Sequence, residues 1–224
     1  MNRRKAIIRS YAGVLVFAAF IFLGAGKLLY RQGLLYVVIA LLGTTLSHVL
    51  ERKGSDLMVE RASQAGAGQL WDKRILAAIF LVGIVTFVIA GLDSGRFGWS
   101  GRVPFGITIG GAVLMLAGQI LFAVAKRVND YFSSTVRIQS DRGHKVCDQG
   151  PYRYIRHPGY LGLLMSLLAF PLLINSYWAF IPASVSAILL IFRTAMEDRF
   201  LIHQLPGYPE YAAKTRWKLM PGVF

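Results

Sequence analysis

The sequence predicts an all-α polytopic membrane protein with about six transmembrane helices, the last two folded into a C-terminal hairpin. Three observations lead there. Hydrophobic residues make up 55% of the 224-residue chain and its mean hydropathy is +0.50, too apolar for an ordinary soluble domain. The apolar residues collect in runs long enough to span a bilayer, separated by short polar stretches. The charge, a formal net +14, is sorted along the chain. Of the 25 Lys and Arg residues, all but Lys27, Arg31, Arg96 and Arg102 fall in the N-terminus or in the stretches 51–74, 126–158 and 193–224. An even number of crossings puts those four stretches on one side, so the positive-inside rule predicts both termini in the cytoplasm. It also argues against nucleic acid as the partner of the basic residues, because the charges punctuate spans rather than form one patch.

The spans are expected at about 11–30, 33–50, 75–92 and 104–125, with a longer tract from Gly159 to Ala195. The basic start, Met1-Asn2-Arg3-Arg4-Lys5, resembles a signal peptide, but the run to Leu23 has no clear small-residue cleavage site and reads as a retained first helix. Segment 51–70 reads as a flexible connector. Segment 126–158 is polar yet rich in residues such as Tyr131, Phe132, Val136 and Ile138, a composition expected of a folded, functional loop. The tract 159–195 is too long for one span and breaks at Asn175-Ser176, either of which suits the cap of the next helix. Its two legs, roughly 15 and 18 residues, rise about 22 and 27 Å, which leaves open whether the first crosses fully. Pro171 is expected to kink or end the first leg, and Pro182 lies near the start of the second, where proline is tolerated. Together the segments form one membrane domain over 1–224, with N-terminal helices in 1–125 and a core in 126–224.

Single residues mostly carry plain readings. The one cysteine, Cys147, excludes an intramolecular disulfide and a cysteine metal cluster. The four histidines lack zincin-type spacing, so no metal site is expected. Trp71, Trp99 and Trp178 suit interfacial anchoring, and Gly110, Gly111 and Gly118 suit close helix packing.

Two polar clusters stand apart. Gly150 to Tyr160 crowds tyrosine, arginine and histidine against an apolar run, and Pro158 sets a helix start there, with its free N–H groups facing the membrane surface. The second cluster, Glu197-Asp198-Arg199, lies forty residues after His157. A hairpin out and back returns it to the level of His157 and Tyr160, so the two clusters form halves of one site. Acidic residues against a membrane hairpin are costly unless paired or used. Their plain reading is a salt bridge with Arg193, one helical turn before Glu197, or with Arg199 on the same helical face.

These residues resemble the isoprenylcysteine carboxyl methyltransferase family. The resemblance rests on Gly150-Pro151-Tyr152, then Arg156-His157-Pro158-Gly159-Tyr160, a hydrophobic hairpin over 161–195, and the acidic pair Glu197-Asp198. His144 falls a few residues before the glycine, as in the family, and the stretches around His203 and Tyr208–Tyr211 resemble the family's tail. The match covers roughly 126–224, and the first 125 residues match only as apolar helices. A Glu-Asp pair replaces the family's Glu-Glu, which puts the weight on Glu197.

The resemblance implies S-adenosylmethionine as cofactor, held between the 144–160 segment and the end of the last hairpin helix. The expected contacts are His144, Val146, Cys147, Tyr152, Arg156, His157, Pro158, Tyr160, Glu197 and Asp198, with the backbone around Val146 and Cys147 bordering the adenine by resemblance alone. Glu197 suits ribose hydroxyls or the cofactor ammonium. Arg156, His157 or the helix N-terminus suits its carboxylate, and Tyr160 its sulfonium. Arg193 and Glu197 are the expected catalytic residues. The implied acceptor is lipophilic, with a prenylcysteine-like carboxylate ahead of phospholipid amines and thiols, in a bacterial or archaeal cytoplasmic membrane. A carboxylate acceptor needs no general base, whereas an amine or thiol needs one such as His157, His144 or Glu197. A sterol-type NADPH reductase and a non-catalytic lipid-binding or transport protein are the competing classes. The basic tail 214–218 reads as an amphipathic surface segment that, by the resemblance, also closes the site.

Overall fold

The computed structural model describes residues 3–51 and 68–224, and the greater part of the connector expected at 51–70 lies outside them. Its helices are α1 (Arg3–Ala25), α2 (Arg31–Val49), α3 (Leu70–Ala90), α4 (Phe105–Val128), α5 (Pro158–Ile174), α6 (Phe180–Gln204) and the short α7 (Tyr208–Lys214). The helix α3 continues as a π-helical turn over Gly91–Phe97, which brings the crossing to Leu70–Phe97. Among the described residues, five helices are long and apolar enough to cross a membrane, and α5, with 17 residues, is a shorter apolar sixth. At 1.5 Å per residue it rises about 25 Å, less than the roughly 30 Å hydrocarbon core.

Contacts between helix ends fix the up-and-down order. At one end Ser10 meets His48 at 2.7 Å, and Lys126 pairs with Glu51 at 3.5 Å. Also at that end, Asp72 at the start of α3 pairs with Arg193 of α6. At the other end Tyr30 bonds Ser94 and the carbonyl of Ile174, Ser176 donates to Asp93, and Thr108 donates to Asn175. Asp93 is fully buried, and hydroxyls of Ser100 and Ser176 with the Ser100 N–H satisfy its carboxylate. Nearby, the exposed Trp99 and Trp178 pack edge to face, as expected of interfacial anchors.

Small residues bring α4 and α5 together. A Cβ on Gly118 would lie 2.5 Å from the Gly162 carbonyl oxygen, and one on Gly162 would lie 2.5 Å from that of Gly118. Gly111 similarly abuts the backbone N of Leu173 at 2.6 Å, whereas Gly110 faces open space and takes no part in packing. Further in, Phe87 stacks on Phe170 at 4.3 Å and Tyr36 meets both edge to face at 5.3 Å. These rings make the apolar centre where α2, α3 and α5 meet.

The hairpin differs from expectation at its tip. Pro171 neither ends nor breaks α5, which runs three residues further to Ile174. Proline in a last turn sacrifices a single backbone hydrogen bond, and the chain is about to leave the helix there anyway. Asn175 caps α5 rather than the next helix, taking the left-handed φ of 61° at the turn. Ser176 does serve the second leg, accepting the Ala179 N–H at 3.2 Å. Pro182 sits in the first turn of α6, where no N–H partner is lost. The leg α6 then extends to Gln204, so both members of the acidic pair stand on a continuous helix.

Candidate active site

The site forms where α5 begins, where α6 ends, and where the 126–158 segment wraps between them. His157 has a non-helical backbone (φ −126°, ψ 59°) because Pro158 follows it, and Pro158 opens α5 as its first residue. The backbone N–H groups of Arg156 and His157 donate to the carbonyls of Trp217 and Lys218, both at 2.9 Å. The basic tail is therefore laid along this segment.

The acidic pair splits into two roles. Asp198 is only 2% exposed and faces a closed polar knot. Its Oδ2 accepts Arg156 Nη2 at 2.9 Å, and Arg156 Nε lies 2.9 Å from Oδ1. The same Oδ1 accepts the Tyr208 hydroxyl at 2.9 Å and lies 3.2 Å from His157 Nε2. Arg156 is spent further on the Ala212 carbonyl. Burial, and then the Asp198 carboxylate, push the Tyr208 phenol well above its ordinary range, so it stays a proton donor.

Glu197, one residue earlier on the helix, is half-buried and lines the cleft. It accepts a short hydrogen bond from the Tyr160 hydroxyl, which in turn accepts one from Arg193 Nη1. Arg193 is 4% exposed and fully engaged: Nε bonds Asp72 Oδ1 at 2.6 Å, Nη2 bonds the Ser134 carbonyl at 3.1 Å, and its guanidinium lies 5.0 Å from the Tyr160 ring centroid.

The remaining wall is the folded loop. Tyr131 stacks on His144 at 4.6 Å and donates to the Gly143 carbonyl at 2.8 Å. Gln139, almost wholly buried, bonds the Tyr131 carbonyl and accepts Arg142 Nη1. Burial, with Arg137 and Arg142 adding to it, lowers the His144 pKa to about 4, so the imidazole is neutral at pH 7. The Tyr152 hydroxyl meets Asn129, and Tyr211 donates to the Tyr152 carbonyl at 2.7 Å.

Of the expected site residues, His144, Val146, Cys147, Tyr152, Arg156, His157, Tyr160 and Glu197 border one cleft of about 100 Å³. Three do not. Pro158 is buried in the turn beneath it, Asp198 points into the polar knot, and Arg193 stands behind Tyr160. Arg156 borders the cleft but aims its guanidinium at Asp198, and the Tyr160 ring already carries Arg193 and a parallel His157 at 5.7 Å. Tyr131, Phe132, Tyr208 and Tyr211 add further aromatic lining to the cleft. Sequence reasoning assigned no part to Asn129 or Asp72. The only signal for Asp72 was a carboxylate at a membrane edge, which demands a partner without naming it.

A second cavity, about 570 Å³, opens among α1, α2, α4 and α5, bordered by Ser10, Tyr36, His48, Gln119 and Ser166. Phe122 and Ser134 also line it, and Phe122 packs edge to face at 5.3 Å on Phe132 of the cleft wall.

Residues 111–203 match the isoprenylcysteine carboxyl methyltransferase (ICMT) family model. Among curated proteins, the chain is 29% identical over 143 residues to the cobalt-zinc-cadmium resistance protein CzcN of Cupriavidus metallidurans, covering 59% of this chain and 58% of that one. It is also 29% identical over 113 residues to a probable protein-S-isoprenylcysteine O-methyltransferase of Oryza sativa, covering 47% of this chain and 56% of the rice protein. The chain thus spans little more than half the length of these relatives. The matched stretch holds α4 in its greater part, the cleft-lining loop, α5 and both acidic residues, so the similarity to the isoprenylcysteine carboxyl methyltransferase family covers most of the candidate site.

Proposed function

We propose that this chain is an integral membrane methyltransferase that takes a methyl group from S-adenosylmethionine and passes it to a lipophilic acceptor, a prenylcysteine-like carboxylate being the first to test. The observation that carries the reading is Glu197, a half-buried carboxylate presented to a cleft at a membrane surface by a helix of the family-matched segment.

The donor set fits the cofactor's chemistry. Glu197 is an acceptor for ribose hydroxyls or an ammonium. Neutral His144 stacked on Tyr131 offers a flat surface beside the Lys145–Cys147 backbone. Arg137 and Lys145 border the cleft and make it favourable to a carboxylate. The cleft is narrow, while ligands of this size occupy about 300–1,000 Å³, so binding entails its widening. When bound, the cofactor supplies an electrophilic methyl group, and the chain's own contribution is placement and exclusion of water.

The cavity among α1, α2, α4 and α5 suits the acceptor's hydrocarbon, which would point its reactive end past Phe132 and Ser134 toward the cleft. His144 borders the cleft, but a pKa lowered to about 4 makes it a weak base, which favours a carboxylate acceptor that needs none. The charge sorting supports a cytoplasmic cleft and cytoplasmic termini.

Calorimetric titration of detergent-purified protein with S-adenosylmethionine tests the cofactor. Saturable binding is expected, weakened about tenfold or more in Glu197→Gln, the loss of a charged hydrogen-bond partner. Saturable NADPH binding in its place would overturn the reading.

A further inference from the structure

Asp72 lies outside the family-matched stretch and outside the cleft, yet two parts of the site, Arg193 of α6 and the loop at Val136, converge on it. It occupies the first turn of α3 and is completely buried. Its Oδ1 accepts Arg193 Nε at 2.6 Å and its Oδ2 accepts the Val136 N–H at 2.9 Å. The bond is returned nearby, where Gln69 N donates to the Val136 carbonyl, and a Cβ on Gly68 would lie 2.6 Å from Thr135 Cβ. The start of α3 is thereby stitched to the loop that carries Thr135, Val136 and Arg137 along the cleft.

We infer that Asp72 is a positioning residue that keeps Glu197 available to the methyl donor, acting through Arg193 and Tyr160. This rests on the donor-binding reading above. Arg193 stands between two carboxylates: it bonds Asp72 directly and reaches Glu197 through the Tyr160 hydroxyl. With Asp72 ionised, the guanidinium is anchored on the α3 side, and the Tyr160 hydroxyl donates its hydrogen bond to Glu197 in a fixed direction. Neutralise Asp72, and the nearest negative charge left to Arg193 is Glu197. A buried guanidinium without its counter-ion turns to the remaining carboxylate. Glu197 is then consumed by Arg193 and withdrawn from the cleft.

The mechanism makes a claim that a purely structural role does not. Harm done by Asp72→Asn must pass through Arg193, and removing Arg193 as well must cancel it. The measurement is the affinity of the full-length, detergent-purified protein for S-adenosylhomocysteine, in wild type, D72N, R193M and the D72N/R193M double variant. The expected order is a loss of about tenfold or more in D72N, with the double variant recovering to the affinity of R193M alone. Should D72N fail to fold, the comparison of R193M with the double variant, which buries no unpaired charge, still decides: equal affinities support the inference. Wild-type binding with D72N within about twofold of it, or a further loss on adding D72N to R193M, overturns it. A wild type that binds no S-adenosylhomocysteine overturns the donor reading and this inference together.

Discussion

Glu197 and Asp198 are neighbours in sequence, and a helix turns them about a hundred degrees apart. That rotation sends one to the cleft and the other into the knot of Arg156, His157 and Tyr208. The two carboxylates should therefore fail differently when neutralised. Asp198→Asn leaves the Arg156 guanidinium buried without a counter-ion, a loss on the order of 3–5 kcal/mol, and is expected to lower the thermal midpoint sharply. Glu197→Gln, at a half-buried position, is expected to hold the midpoint near wild type while losing donor affinity. Melting curves of the two variants in one detergent check this. The opposite pattern would reverse the assignment. The sequence marked the acidic pair and even favoured Glu197, but it assigned both residues to the cofactor. Side-chain direction depends on where Arg156 and Tyr208 arrive from, 42 and 10 residues away, and no local pattern encodes that.

At the scale of elements, the site depends on α4 and α5 holding their approach. Their backbones meet at Gly118 and Gly162, where each missing Cβ leaves room for the other's carbonyl. Gly162→Ala would set a methyl group 2.5 Å from the Gly118 oxygen and 2.8 Å from the Phe122 N, and neither is a flexible side-chain tip. Forcing the helices apart is expected to cost about 1–3 kcal/mol. Gly110→Ala, which faces open space on the same helix as Gly118, is expected to leave the thermal midpoint unchanged. Equal midpoints for both variants would show that this contact does not hold the pair. The helices themselves were legible, because apolar length is a strong signal. Their ends were less so. The polar start of α1 at Arg3 and the extension of α6 through Glu197 to Gln204 carry charge that hydropathy discounts. Pro171 read as a kink or an end because its tolerance in a last turn depends on where the helix stops.

Over the whole molecule, two spaces lie on either side of one wall. The polar cleft carries Glu197, the larger cavity lies among α1, α2, α4 and α5, and Phe132 on the cleft side meets Phe122 on the cavity side. That arrangement suits a water-borne donor and a membrane-borne acceptor meeting at an interface. The C-terminal half announced its half of the site through ordered motifs. The N-terminal half did not, because Asp72 meets Arg193 across 121 residues and only the packing of α3 against α6 brings them together. The most direct test of the account is methyl transfer itself. Proteoliposomes of the purified chain would be given methyl-labelled S-adenosylmethionine with N-acetyl-S-farnesylcysteine, a phospholipid amine or an alkyl thiol. The account predicts label in the farnesylcysteine ester, abolished in Glu197→Gln. Label in none of the three, from protein that binds the donor, would contradict it.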